Sequence, residues 1–181
     1  MSRAFVVALL GAESTGKTTL AGELGVALAT GGRRVAVVGE ALREFCDREA
    51  RTPRHDEQAA IAAEQTRRID AAAAEAEIVV ADTTALMVAV YSDLVFGDLG
   101  LYDAAEANQG RCDLTLLTAL DLPWRADGLI RDGAHVRAPV DLRIRAALAR
   151  AGIGFAPVAG TGAARLQAAL DAADRGLAAR R

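Results

Sequence analysis

The stretch GAESTGKT at residues 11–18 constrains this chain more than any other feature. Glycines at 11 and 16 let the backbone turn tightly, so that successive N–H groups converge on one point, with a lysine and a hydroxyl directly behind them. Such a loop binds phosphate only if a buried strand delivers it and a helix begins at once, adding its positive N-terminal end. Residues 4–10, AFVVALL, are a continuous apolar run ending at Gly11, the signature of a strand covered on both faces. A helix is predicted from Lys17 to about Thr30, where Gly31 and Gly32 stop it. In that setting Lys17 reaches the β and γ phosphates of a nucleotide and Thr18 offers its hydroxyl to Mg²⁺. Thr19 either touches the α phosphate or caps the helix. Glu13, at the loop tip beside Ser14, reads either as a contact to substrate or magnesium-bound water or as a solvated side chain.

The apolar run recurs as RVAVVG at 34–39, EIVVAD at 77–82, CDLTLLTAL at 112–120 and GIGFAPVAG at 152–160. Helical segments are predicted between them, at about 40–49, 56–75, 84–96, 103–109, 139–150 and 162–179. Strand and helix alternate throughout, which predicts an α/β fold: a five-stranded, mostly parallel sheet with helices on both faces. With 181 residues the expectation is a single domain over 1–181. Two inserts interrupt the pattern. Residues 97–111 read as a cover for a pocket, and the polar stretch 121–138 reads as a small lid carrying Arg125, Arg131 and Arg137.

Charge narrows the partners. A formal net charge of -3 gives no reason to expect a long nucleic-acid footprint. No apolar run is long enough to span a membrane, and the N-terminus reads as a strand, so the expected location is cytoplasmic. Cys46 and Cys112 lack metal-ligand spacing and read as reduced thiols. Of 21 basic residues, only Lys17 is a lysine. A compact ammonium, in place of a planar guanidinium, is retained at the one position where a phosphate must be met by a point charge.

Asp82 ends the run EIVVAD, at the carboxyl end of a strand where parallel sheets place their ligands. It is expected to hold Mg²⁺ through water, or else to cap the helix that follows, a task for which Thr83 is an equal candidate. Glu40 ends the second strand, and Arg43 lies three residues on, on the same helix face. A carboxylate there can orient an acceptor hydroxyl and take its proton, and an arginine can hold the acceptor. Gln65 reads as an amide facing the pocket. Trp124 reads as a stacking face or a lid hinge, and Asp127 and Asp132 as tethers for lid or substrate. Arg125 and Arg131 could close over a triphosphate and exclude water. His55 and His135 have no triad partners and read as structural.

Together GAESTGKTTL, GEALREF, IAAEQ, ADTTALMVAVYSDLVFG and DLTLLTALDLPWRADGLIRDG resemble the ribosylnicotinamide kinase domain of bifunctional NAD-biosynthesis proteins, over residues 4 to about 170. The same features resemble AAA-type ATPases. The resemblance implies a P-loop NTPase fold with a nucleoside-monophosphate-kinase-like core. Its donor would be ATP with Mg²⁺, and its acceptor the ribose 5′-hydroxyl of nicotinamide riboside. It implies nucleotide contacts from Gly11, Glu13, Ser14, Thr15, Gly16, Lys17, Thr18, Thr19, Arg125 and Arg131, and from Gly160 in the loop PVAGTGAAR. Acceptor contacts would come from Glu40, Arg43, Gln65, Tyr91, Trp124 and Asp127, metal contacts from Thr18 and Asp82, and catalysis from Lys17, Glu40, Asp82 and Arg131. Leu42 replaces a tyrosine common in the family, Thr84 stands where an acid is common, and Ile130 is an extra residue before Arg131. These departures fall on the acceptor side, so a kinase of another nucleoside or small metabolite, or a regulatory ATPase without an acceptor, remain alternative readings. A homo-oligomer is left open.

Overall fold

The computed structural model describes residues 3–125 and 133–180. Five strands, β1 (Phe5–Leu10), β2 (Val35–Val38), β3 (Ile78–Asp82), β4 (Leu114–Thr118) and β5 (Ala156–Val158), form one sheet in the order β2-β3-β1-β4-β5. Every pairing is parallel. β1 is central, with Leu9 in register with both Asp82 and Leu116. The strand order reverses beside β1, so a crevice opens at its carboxyl end. The described helices are α1 (Lys17–Ala29), α2 (Ala41–Glu49), α3 (Gln58–Glu75), α4 (Ala85–Phe96), α5 (Tyr102–Gln109), α6 (Arg137–Arg150) and α7 (Gly162–Ala179).

Alternation along β1 sorts the helices into layers. Phe5, Val7 and Leu9 pack with Leu20, Leu24 and Leu28 of α1 and Ala169, Ala172 and Ala173 of α7. On the other face Val6 packs against α3, and Leu10 against α4 and α6. A strand buried on both faces has no polar position, which is why its sequence is an unbroken apolar run.

Several predicted boundaries shift for physical reasons. β5 is only three residues long, because it is an edge strand whose Pro157 lacks a ladder donor. α6 begins at Arg137, ahead of Pro139, since a proline in the first turn costs no intrahelical hydrogen bond. The end of the predicted lid therefore belongs to the core, with Val136 and Arg137 buried. The 97–111 insert lies away from the phosphate cleft, and its Asn108, Gly110 and Arg111 line a separate hollow of about 340 Å³. It folds into α5, where Gln109 bonds Thr84 and Thr115 across the buried face. Burial raises both thiols to about 11, Cys46 and Cys112 alike, so neither is a nucleophile at neutral pH.

A 3-10 turn, His55–Glu57, leads into α3. The Glu57 carboxylate accepts from Arg51 at 2.7 Å on each oxygen and from the Arg54 backbone N–H at 2.8 Å. The Arg51 side chain first, then the Arg54 N–H, hold the Glu57 carboxyl at about 2. Its pKa is lower folded than unfolded, so its contribution is complete above the ordinary glutamate value and is lost as pH falls through about 2. Protection of the 54–58 amides, taken relative to their intrinsic exchange rates, is therefore expected to fall progressively from the ordinary glutamate range down to about pH 2, and Glu57→Gln is expected to remove that pH dependence.

Candidate phosphate-binding cleft

β1 delivers the loop at 11–18 to the sheet's carboxyl edge, and three of its residues have positive φ. Gly11 is at 153°, Ser14 at 54° and Gly16 at 72°. At Gly11 an added Cβ would lie 1.9 Å from Thr118 Oγ1. That hydroxyl is itself engaged, bonding Leu10 O at 3.2 Å and Thr15 Oγ1 at 2.7 Å, while the Thr15 hydroxyl donates to Ala12 O at 2.7 Å. Gly11→Ala thus forces both a disfavoured φ and a buried collision, and is expected to cost about 2–4 kcal/mol, read as a lower midpoint in urea unfolding.

The loop opens on a cleft of about 650 Å³, bounded by residues 14–19, by Arg43 of α2, and by Leu122, Pro123 and Arg125. Lys17 Nζ donates to Ala12 O at 2.8 Å, which stores the ammonium against its own loop. Ser14 Oγ donates to Arg125 O at 2.7 Å and accepts from Arg125 N at 3.3 Å, tying the loop tip to the segment that leads towards the predicted lid. Thr18 and Thr19 are exposed on the cleft side, whereas Thr15 beneath them is fully buried. Glu13 is buried, so the solvated reading of that residue is wrong.

Asp82 is 3% exposed, and its Oδ1 has no hydrogen-bond partner among the described residues. It does not cap α4. The cap is Thr84, whose hydroxyl accepts from Leu86 N at 3.3 Å. Thr83, between them, is held at φ 73°, a strained value for a β-branched residue. Glu40 occupies the N-cap of α2 and pairs with Arg43 at 3.7 Å.

Gln65 is corrected. Its side chain does not face the cleft; it is buried, with Oε1 accepting from Ala41 N at 2.7 Å and Nε2 donating to Gly39 O at 3.2 Å and Thr83 O at 3.3 Å. It fastens the ends of β2 and β3 together and so sets where Glu40 and Asp82 stand. Among the described residues, neither Trp124 nor Tyr91 lines the cleft. Tyr91 lines a separate hollow, and Trp124 Nε1 is buried with no hydrogen-bond partner among the described residues. Arg137 does not cover the cleft either: it is buried and donates to Leu122 O at 2.9 Å. Asp127, Arg131 and Asp132 lie outside the described residues.

Sequence reasoning missed Arg165. It is 5% exposed and donates to Thr15 O, to Gly160 O at 3.0 Å and to Asp121 Oδ1 at 3.3 Å. Asp121 also accepts from Gly160 N at 2.5 Å, and that N–H is the first reason its carboxyl lies below the usual range. The available signal was a lone arginine five residues beyond Gly160, at the start of a helix that otherwise shows an apolar face.

No helix among the described residues is long and apolar enough to cross a membrane, and none of them form a cluster of three or more metal-binding side chains. A magnesium site shared with nucleotide phosphates needs only one or two protein ligands. Asp82, in register with Leu9 of the strand that delivers the loop, offers a buried carboxylate oxygen without a donor among the described residues, and Thr18 an exposed hydroxyl; oxygen donors of this kind suit a hard cation.

A five-stranded parallel sheet flanked by helices, with a glycine-bounded lysine loop after its first strand and an acid ending the adjacent one, defines a P-loop protein of kinase- or ATPase-like type. The chain belongs to the AAA domain family, whose model matches residues 6–165. Among solved structures it is similar to a NadR protein in complex with NAD and AMP-PNP, at 22% identity and a TM-score of 0.78 over 97% of this chain. A NadR protein in complex with NR gives 22% identity and a TM-score of 0.76 over 95%. The chain spans 50% of the length of each. No curated protein sequence matches it.

Proposed function

We propose that the chain transfers the γ-phosphoryl group of ATP to the 5′-hydroxyl of nicotinamide riboside, giving nicotinamide mononucleotide and ADP. The observation that carries this reading is the Glu40–Arg43 pair at the N-terminus of α2, with Arg43 on the wall of the same cleft as Lys17. A carboxylate at the start of α2 can take the proton of an acceptor hydroxyl, while its partner Arg43 lines the cleft that holds the phosphates. The likeness to a NadR protein holding NR supports the choice of acceptor.

In this reading, backbone N–H groups of residues 13–18 and Lys17 Nζ hold the β and γ phosphates. Ser14, Thr19 and the loop at Gly160 hold the remainder of the nucleotide, while Arg125 and Arg131 close over the triphosphate. Thr18 and Asp82 would hold Mg²⁺, which when bound supplies positive charge to the phosphate oxygens. The hydroxyl oxygen bonds to the γ phosphorus as the bond from phosphorus to the β–γ bridging oxygen breaks. Its proton passes to the Glu40 carboxylate, and ADP leaves with the bridging oxygen. Arg43 and, from beyond the described residues, Asp127 hold the acceptor. Phosphoryl transfer relies on position and charge, so no covalent nucleophile is required.

The test supplies ATP and Mg²⁺ with nicotinamide riboside, cytidine, uridine, adenosine or no acceptor, and identifies products by mass. Nicotinamide mononucleotide well above every other product is the expected result. Equal ADP in all reactions, with no phosphorylated nucleoside, would replace this reading with a regulatory ATPase. Glu40→Gln is expected to lower kcat about 10²–10⁴-fold with little change in the KM for ATP, measured by the same product formation.

A further inference from the structure

The hollow bounded by α2, the 55–57 turn and α4 measures about 410 Å³; Leu42, Pro53, Tyr91, Val95 and Phe96 form its apolar walls, and Thr52, Arg54 and His55 its polar edge. His55 leans on Phe96 with ring centroids 5.4 Å apart, so two ring systems stand at its rim. Among its polar side chains Gln58 stands apart, because it is buried. Gln58 is 4% exposed, yet its Oε1 has no hydrogen-bond donor among the described residues. A buried amide oxygen left without a donor carries its full desolvation penalty, which an apolar residue at the first position of α3 would avoid. An apolar pocket with one buried, unsatisfied polar group is the usual construction of a small-molecule site.

The unsatisfied group identifies the ligand chemistry. A glutamine side chain offers one carbonyl acceptor and an NH₂ donor group. A primary carboxamide on a flat ring offers the complement, donating to one end of the Gln58 amide and accepting from the other. Two amides pair head to head whichever way Gln58 is turned. A ring carboxylate has no donor and would leave the buried acceptor unmet, and Arg54 at the edge is already engaged by Asp56 at 3.3 Å and Glu57 at 2.9 Å. Position matters as well. Leu42 lines the hollow and Arg43 lines the phosphate cleft, and consecutive helical residues point to adjoining sides, so α2 is a shared wall.

We infer that this hollow receives the ring carboxamide of the acceptor, with Gln58 as its specificity-determining partner and Tyr91 and Leu42 as apolar walls. The inference rests on the kinase reading for the ligand's identity as an acceptor, but the site itself is a claim about amide recognition. It also gives Leu42 a reason, since a larger side chain at that position would reduce the hollow.

The test has two arms. Saturation-transfer NMR on the full chain with nicotinamide and nicotinic acid reads the site without turnover. Nicotinamide is expected to give transfer and nicotinic acid little, and Gln58→Leu is expected to weaken nicotinamide binding about tenfold or more. Gln58→Leu should also melt at or above the parent temperature, because the orphaned oxygen is removed. Equal signals from the two ligands, binding retained in Gln58→Leu, or a clear fall in its Tm would each overturn the inference, the last by making Gln58 a structural residue. The second arm measures the KM for nicotinamide riboside. Product formation with an unchanged acceptor KM in Gln58→Leu would sink the hollow and leave the kinase reading standing. Nicotinamide binding that depends on Gln58, without any nucleotide product, would do the reverse.

Discussion

Lys17→Ala is expected to lower ATP-dependent product formation about 10²–10³-fold while leaving the fold intact. The ammonium sits in the cleft and donates to Ala12 O at 2.8 Å, so a phosphate replaces one acceptor by a stronger, charged one at little cost in reorganisation. Its value lies in the charge that develops on the transferring group, and kcat should therefore fall more than ATP affinity does. Lys17→Arg should fare nearly as badly. The guanidinium is planar and wider, and the turn around Gly16, where even an added Cβ would meet Leu122 at 3.0 Å, leaves it little room. Rates at saturating ATP, set beside ATP Kd values from calorimetry, separate the two effects. Full turnover in Lys17→Ala would end the phosphate-loop mechanism for this chain.

What the sequence revealed and what it hid follow from the range of the interactions involved. The strand at 4–10, the loop and the start of α1 were readable because their determinants are local: an unbroken apolar run, two glycines at fixed spacing and a helix start. Strand and helix alternation likewise announced a parallel sheet. Gln65 was misread because helical periodicity places it on the inner face of α3 but says nothing of what it meets there. Its partners are Gly39, Ala41 and Thr83, which only the finished sheet brings together. Tyr91 was expected beside the acceptor, but which hollow it would line was not readable, and α4 presents it towards α2 and away from the phosphate loop. Arg137 looked like lid because its flanks are polar, yet a buried guanidinium that holds Leu122 O leaves no trace in hydropathy. The cleft's chemistry was thus legible wherever a motif carries it, and hidden wherever one side chain satisfies backbone groups far away in the chain.

Arg165 illustrates the second case, and its removal should have the largest effect of any residue outside the cleft lining. The side chain is 5% exposed, and it joins three loops: Thr15 of the phosphate loop, Asp121 after β4 and Gly160 after β5. Arg165→Ala leaves two carbonyls and a carboxylate short of a donor. Losing one partner of a buried charged network costs about 3–5 kcal/mol, and the one-third exposure of Asp121 lets water recover part of that. A loss of about 2–3 kcal/mol is expected, or a fall in Tm of roughly 4–12 °C for a chain of this size. Asp121 adds a pH signature. Its carboxyl is held low first by the Gly160 N–H and also by Arg165, so its contribution is present above the ordinary aspartate value and lost as pH falls through the depressed one. Arg165→Ala should therefore be less sensitive to acid than the parent. Arg165→Lys keeps the charge but not the fork, can serve one or two of the three acceptors, and should fall between the two. Nucleotide binding should suffer along with stability, because the orientation of the Thr15 peptide decides where the loop's N–H groups point. A variant that loses stability but keeps the parent's ATP Kd would show that the three loops hold their positions without this arginine, and would confine its role to folding.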